Sequence, residues 1–435
     1  MTANPGLIRA IGRWSLAGLL LNGVIGSGIY RLPAEVGGKL GGQAWIAWIV
    51  AGLGIATIVA CYAEVSSRFG EAGGQYLYAR LAFGSYAGLQ MGWISYLVRL
   101  TSAAVNVNLF AVYLAEFIPA AGRGIMPAVV AALYFGLVAW VNVRGVRQAT
   151  ALSDVFILAK LVPLAAFGVG GAWLVFSHGP VAPGPIPAVS GTTWVEAVML
   201  LIYAYGGFES SLVPLSEARQ PERDAPFALF VGLGTCMLLF VTVQAVTTWS
   251  LPDPGAHPRP IADAARALAG PIGATVMALG ALTSLLGWGL AAMVHVPRLT
   301  YAMAERGDLP AVFGRVHPVY RTPAVSIIVY AVISFALTLS GTLLQNLSIA
   351  VIARLVTYAI VCLSLPALRR RDGRDAALPA ARFRLPGGWL FPALGVGISI
   401  VLATRLGLRD VAIMAIVILL GTSHWLVNRR LTVAR

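Results

Sequence analysis

Charge is what this sequence lacks most. Of its 435 residues, only 11% are Asp, Glu, Lys or Arg, whereas a soluble domain carries about a quarter. Together with 58% hydrophobic residues, that scarcity excludes an ordinary soluble globular protein. Cysteine is also rare. Cys61, Cys236 and Cys362 each lie within an apolar run, without the paired spacing of a disulfide framework or a metal site. The five histidines, at 178, 257, 295, 317 and 424, are scattered. There is no HExxH, no Walker A loop and no assembled Ser/His/Asp grouping. No catalytic residue, metal site or cofactor is therefore expected, and the chain does not read as an enzyme. The net charge of +14 would suit nucleic acid, but the arginines cluster in alternate loops, where the positive-inside rule explains them. No nucleic-acid partner is expected.

What is abundant is long apolar runs of about 20 residues, the length that crosses a bilayer. Twelve spans can be placed, at 13–37, 43–67, 85–117, 125–143, 151–176, 192–217, 226–250, 271–303, 323–340, 343–366, 388–404 and 409–427. With both termini inside, about 22 of the 31 Lys+Arg residues fall on the cytoplasmic side or near its edge. Lys39, Arg123, Arg259, Arg266, Arg405 and Arg409 fall outside. "RRRDGRD" (369–375) is the strongest inside marker. Arg9 and Arg13 precede an apolar run that no small-residue cleavage site follows, which argues against a cleaved leader. The expectation is an all-α integral membrane protein forming one domain over 1–435. Its arginine-rich composition suggests a bacterial cytoplasmic (inner) membrane, with both termini cytoplasmic. Two loops look ordered: the amphipathic "RFGEAGGQYLYARLAFG" (68–84), expected along the inner face, and "RLTYAMAERGDLPAVFGRVHP" (298–318). A Pro/Gly-rich outer linker covers 177–191.

The first span is interrupted where a plain anchor would be most apolar. "LNGVIGSGIY" (21–30) places Asn, three glycines and Ser at mid-depth. The sixth span repeats the interruption in "LLIYAYGGFESSLVPLSEA" (200–218), with Gly206 and Gly207 about 13 residues in, as Gly26, Ser27 and Gly28 are in the first. Five spans separate the two starts, so they run in opposite directions. This is the pattern of two inverted five-helix halves, 13–176 and 192–366, each opening with a discontinuous helix, with two further helices in 388–427. Unwound backbone in hydrocarbon costs several kcal/mol for each unsatisfied group, so it survives only around a polar ligand or water. N–H groups freed at a half-helix start suit a carboxylate. Freed carbonyls suit an ammonium, and glycine lets a ligand approach closely. An α-amino acid zwitterion meets both demands. Small-residue helix packing is the alternative for such glycines.

These residues resemble the amino acid–polyamine–organocation transporter superfamily. "GVIGSGIYRLP", "FGEAGGQYLYAR", "YAYGGFES…SEARQPERDAP" and "PRLTYAMAERGDLP…RTP" look like its first-helix, inner-segment, sixth-helix and eighth-helix signatures, in order. The resemblance implies secondary transport of amino acids or related amines on a five-plus-five inverted-repeat fold. It implies that Ser27, Gly28 and Ile29 offer N–H groups to the substrate carboxylate, and that the carbonyls of Val24, Tyr203 and Gly206 receive its ammonium. Tyr203 takes the place of an aromatic gate. Trp288 stands where some members cover the substrate side chain. Plain packing is the alternative role for both aromatics.

Charged residues at mid-membrane are functional by default. Lys160 is one of only two lysines among 31 cations, and lysine, unlike arginine, can shed its proton when buried. In sodium-independent members of the resembled family a fifth-helix lysine stands where relatives hold sodium. Lys160 matches that position and is expected to bridge unwound helix one to helix eight and to couple protons to transport. The alternative is an ammonium reaching to the inner surface. Arg99 and Arg354 either attract an anionic or polar substrate group and gate its path, or pair structurally with Glu209. Small or hydroxyl residues are usual at the position of Arg354 in the family, which leaves the substrate side chain open. Asn106 and Asn108 face the pocket or bond between helices. Arg31/Glu35 and Glu64/Arg68 have the spacing of local pairs, His295 reads as packed, and Glu217, Arg219, Glu222, Arg223 and Asp224 read as a solvated inner loop. The expected function is sodium-independent proton symport or exchange of amino acids. The alternatives are a polyamine or organic-anion transporter of the same fold and a non-transporting sensor. A monomer or homodimer is expected, without a disulfide-linked accessory subunit.

Overall fold

In lipid each backbone N–H and C=O must be satisfied within its own segment, and helices do this. The computed structural model describes residues 12–69, 73–181, 189–210, 212, 215, 218–372, 374–375 and 378–433, with the side chains of 146–155 and 429–433 left out. These residues form α1 (Arg13–Val24), α2 (Ser27–Leu40), α3 (Ala44–Ser66), α4 (Gly74–Phe83), α5 (Ser85–Leu114), α6 (Met126–Arg144) and α7 (Val146–His178). The second half adds α8 (Gly191–Tyr205), α9 (Pro221–Ser250), α10 (Pro260–Glu305), α11 (Ala324–Ser340), α12 (Leu343–Arg369), α13 (Leu390–Ala403) and α14 (Leu408–Val433). Among the described residues, eight helical stretches are long and apolar enough to cross a membrane, and α11 and α13 are shorter apolar helices. The chain is a multi-pass membrane protein. Apolar side chains left outside, such as Trp173 on α7, Ile272 on α10 and Leu419 on α14, are stable there only against lipid.

The expected interruption of the first span is present, and three other elements differ from the sequence expectation. The first span is two helices of 12 and 14 residues, each about 20 Å long or half a bilayer. The α-helix of the sixth span, expected to continue to 217, ends at Tyr205; a short 3₁₀ turn, Phe208–Ser210, follows. Helix α10 starts at Pro260, eleven residues early, and is interrupted at Ala269 and Gly270 (φ 67°), so the expected start at 271 is its second segment. The segment expected along the inner face forms α4, but Gln75 to Ala79 are buried. It is packed into the protein instead of lying on its surface. Residues 70–72 of that segment lie outside the described residues, as do 182–188 of the outer linker and Glu217.

Ion pairs sort the loops into two ends. At one end, Lys39 pairs with Glu196 at 3.0 Å, Arg259 and Arg266 both reach Glu116, and Arg31 pairs locally with Glu35. At the other, Arg80 meets Asp308 at 2.7 Å and Arg382 meets Glu222 at 3.7 Å. Asp224 is not solvated as expected; it is buried and its carboxylate accepts from the Gln220 N–H at 3.0 Å, capping α9. The local pair expected between Glu64 and Arg68 is present but long, and each residue has closer partners. Their nearest atoms are 3.8 Å apart. Glu64 also accepts from Arg369 at 2.7 Å and from the Leu385 N–H at 2.8 Å, while Arg68 also binds Asp372. Sequence spacing shows only i,i+4 partners, and here the loop after α12 supplies better ones.

The hydrogen bond from Arg68, and secondarily one from Arg384 at 2.8 Å, holds the Asp372 carboxyl below its ordinary range. A carboxyl lowered in the folded state stabilises fully above its unfolded pKa, about 4, and loses that contribution as the pH falls through the lowered value. Thermal melts in detergent should therefore show an acid-side decline confined below about pH 4, smaller in Asp372→Asn than in the wild type. An equal decline in both would remove Asp372 from the set of groups responsible.

Candidate functional site

Helix α1 ends because Ile25 turns extended (φ −77°, ψ 90°) and Gly26 takes φ −132°, ψ −143° before α2 begins at Ser27. The break thus lies one or two residues earlier than the Gly26–Gly28 centre read from the sequence, and Ser27, Gly28 and Ile29 form the first turn of α2. Their N–H groups have no partner within the helix, by the geometry of any helix start. Helix α8 breaks similarly at Gly206. The following Gly207 has φ +113°, in the region that favours glycine. A side chain on Gly207 would run into the carbonyl of Gly23, and one on Gly23 would lie 2.9 Å from the Gly207 oxygen. The two breaks therefore touch backbone to backbone.

Cations hold the freed groups. The Lys160 ammonium on α7, fully buried, donates to the carbonyls of Asn22 at 3.1 Å and Ile25 at 2.9 Å. Ser284 of α10 reaches the same Ile25 oxygen at 3.5 Å. Lys160 therefore ties α7 to the end of α1; the link from there to α10, expected of Lys160 itself, is made by Ser284. Across the site, Arg354 on α12 donates from Nη1 to the Tyr203 carbonyl at 2.7 Å, and its guanidinium carbon is 5.3 Å from the Tyr203 ring centre. Tyr203's hydroxyl meets Ser27 Oγ at 2.8 Å, joining the two breaks. Glu209, just past the α8 break, gathers the rest. Arg99 Nη2 lies 3.2 Å and Arg354 Nε 3.9 Å from its Oε1. Its Oε2 accepts from the Gly207 N–H at 2.9 Å and from Tyr358 at 3.5 Å. Both arginines thus share one carboxylate.

The expected site residues therefore converge, with corrections. The Tyr203 carbonyl, expected to receive a substrate ammonium, is occupied by Arg354. The α-carbon face of Gly28 does not open into a cavity; a side chain there would meet the Ala204 Cα at 2.7 Å, so this glycine lets α2 and α8 approach. Trp288 covers the break, with its Cδ1 3.0 Å from where a Gly26 side chain would begin. Val24 and Ile29 are buried. Asn106 bonds between helices, to Tyr134 at 3.0 Å and the Leu285 carbonyl at 2.8 Å. A cavity beside the α1 end is lined by Asn22, Gly23, Arg99, Ser210, Trp288 and His295, among others. Sequence reasoning set His295 aside as packed, yet its Nδ1 has no hydrogen-bond partner among the described residues. Its position seven residues after Trp288, two turns along the same face of α10, was the available signal. Gly23 and Tyr358 were also missed. Only the folded contact between the breaks exposes the first, and only Glu209's position exposes the second.

A buried, polar, doubly broken helix pair inside a multi-pass helical bundle defines a solute transporter, in which irregular backbone lines a binding site. The chain belongs to the amino acid permease family, whose model matches residues 11–423. It is similar to the methylthioribose transporter of Bacillus subtilis (strain 168), 27% identical over 91% of this chain and 87% of that one. It is also similar to the large neutral amino acids transporter small subunit 2 of Oryctolagus cuniculus, 29% identical over 73% of this chain and 62% of that one. Cationic amino acid transporter 9, chloroplastic, of Arabidopsis thaliana is 26% identical over 73% of this chain and 59% of its own length. The protein is a permease and not an enzyme.

Gly207→Ala adds strain in the left-handed region, about 1–3 kcal/mol, and a clash with the Gly23 carbonyl. The variant should melt several degrees lower than the wild type and lose transport. Wild-type uptake by this variant would show that the two breaks need not touch.

Proposed function

We propose that this permease is a sodium-independent secondary transporter of a small carboxylate-bearing solute, an amino acid or a near analogue, by alternating access. The observation that carries this reading is the contact between the two breaks. Bare N–H groups at the start of α2, adjoining a buried cluster of Arg99, Arg354 and Glu209, suit a carboxylate. In this reading the chain has twelve spans. Helices α1 and α2 make the first, α8 opens the sixth, and the halves 13–176 and 192–366 are inverted repeats, followed by α13 and α14. The arginine-rich end, bearing Arg68, Arg80, Arg369 and Arg382, is cytoplasmic by the positive-inside rule, which puts both termini inside a bacterial cytoplasmic membrane. The cavity beside the α1 end then lies on the cytoplasmic side of the Ser27–Tyr203 contact, as in a state closed to the outside.

Lys160 takes the coupling role. Its ammonium ties down the same carbonyls that a sodium ion would, so loss of its proton would release the end of α1, and sodium is not needed. The protein acts as a monomer or homodimer. Its three cysteines are buried, which leaves none for a disulfide-linked accessory subunit. Two arginines at the site disfavour a polyamine. A second reading, a neutral thiosugar, is favoured by the similarity to a methylthioribose transporter.

Purified protein in proteoliposomes should take up labelled solutes without sodium, faster with unlabelled solute inside if it exchanges, or at acidic external pH if it couples protons. Folded protein that binds a solute without moving it would instead be a sensor. Lys160→Ala should slow uptake at least tenfold or abolish its pH dependence between pH 5 and 8, an effect of roughly 1.4 kcal/mol or more. Unchanged rates across that range would remove Lys160 from the coupling step.

A further inference from the structure

The two arginines are not equivalent. Arg99 borders the cavity beside α1, and its side chain is 15% exposed. Arg354 is buried, at 3% exposure, and its guanidinium fills the space beside Gly206 where any side chain would otherwise begin. There it donates to the Tyr203 carbonyl at 2.7 Å and lies against the Tyr203 ring. A carbonyl and an aromatic face at a helix break are what an ammonium seeks. We propose that the Arg354 guanidinium is a built-in replacement for a substrate ammonium, so that the transported solute is a carboxylate without an α-amino group.

This rests on the carboxylate-transport reading above and narrows it. Three further observations carry it. Further acceptors at the breaks are engaged as well: the Asn22 and Ile25 carbonyls by Lys160, and the Glu209 carboxylate by Arg99, Tyr358 and the Gly207 N–H. A substrate ammonium would meet two guanidiniums balanced by one carboxylate, and arginine does not give up its proton to make room. Finally, Arg354 Nε is a buried donor with no hydrogen-bond partner among the described residues, since Glu209 Oε1 stands 3.9 Å away. A buried donor left over beside the break calls for an acceptor from the ligand. Amino and hydroxy acids both bring a carboxylate, so the difference lies at the α-position: an α-hydroxyl oxygen can accept from a guanidinium, and an α-ammonium cannot.

The test uses matched pairs that share a carbon skeleton and differ only at the α-position: alanine and lactate, leucine and 2-hydroxyisocaproate, glutamate and 2-hydroxyglutarate. Binding to the purified full-length protein and uptake into proteoliposomes are measured for each pair. In whichever pair fits the side-chain pocket, the hydroxy acid should be preferred at least tenfold by wild type. Arg354→Lys, which keeps a cation, should retain that preference, and Arg354→Ser should abolish or reverse it. Should Arg354→Ser not fold, the wild-type ratio decides alone. Wild type that binds the amino acids as well as their hydroxy partners, or better, overturns the inference and leaves the carboxylate reading standing. Folded wild type that binds no member of any pair overturns the carboxylate reading, and this inference with it.

Discussion

A helix cannot be cut open inside a membrane unless something satisfies the backbone groups it exposes. That constraint organises the centre of this molecule. At the end of α1 the exposed carbonyls are held by the Lys160 ammonium, and at the end of α8 one is held by the Arg354 guanidinium. Cations suit these places because helix C-termini carry partial negative charge. The opposite ends, where α2 starts, carry the complementary partial positive charge, and the protein leaves the first-turn N–H groups of Ser27, Gly28 and Ile29 outside the helical ladder. In the proposed reading, the donors are the side of the broken pair left for a ligand.

The packing around the breaks follows from the same demand. Gly23 and Gly207 bring two backbones into contact, Gly28 brings α2 against Ala204, and Gly26 lies beneath Trp288. Each glycine gives up a side chain at a helix–helix crossing, so small-residue packing and site formation are one arrangement here. The Ser27–Tyr203 contact then closes this arrangement on the side away from the cavity. Further out, Glu64, Arg68, Arg369 and Asp372 tie α3 to the end of α12 and the loop beyond it.

Much of this was legible in the sequence because membrane helices advertise themselves and their interruptions. The glycine pairs at 26–28 and 206–207 lie at mid-depth, where hydrocarbon tolerates no idle polar group, and Lys160 was conspicuous as one of two lysines. Pairing of Arg99 and Arg354 with Glu209 was readable for the same reason, since three buried charges must find each other. What the sequence hid were facts of distance. Spacing suggested a Glu64–Arg68 pair, while the fold offers both residues better partners some 300 positions away. The sixth span reads as apolar to 217, yet the helix ends at Tyr205, where Gly206 turns extended. Above all, the carbonyl expected to hold a substrate ammonium turns out to face a guanidinium, which only the crossing of α12 against α8 could reveal.

The central claim is that the α1–α2 break binds the solute through its N–H groups, and amide hydrogen exchange reads those groups directly. With a saturating transported carboxylate present, exchange in the segment 25–29 should slow at least tenfold, while the exposed turn at 386–389 stays unchanged. Exchange in 25–29 that ignores a bound and transported solute would place the binding site elsewhere in the bundle.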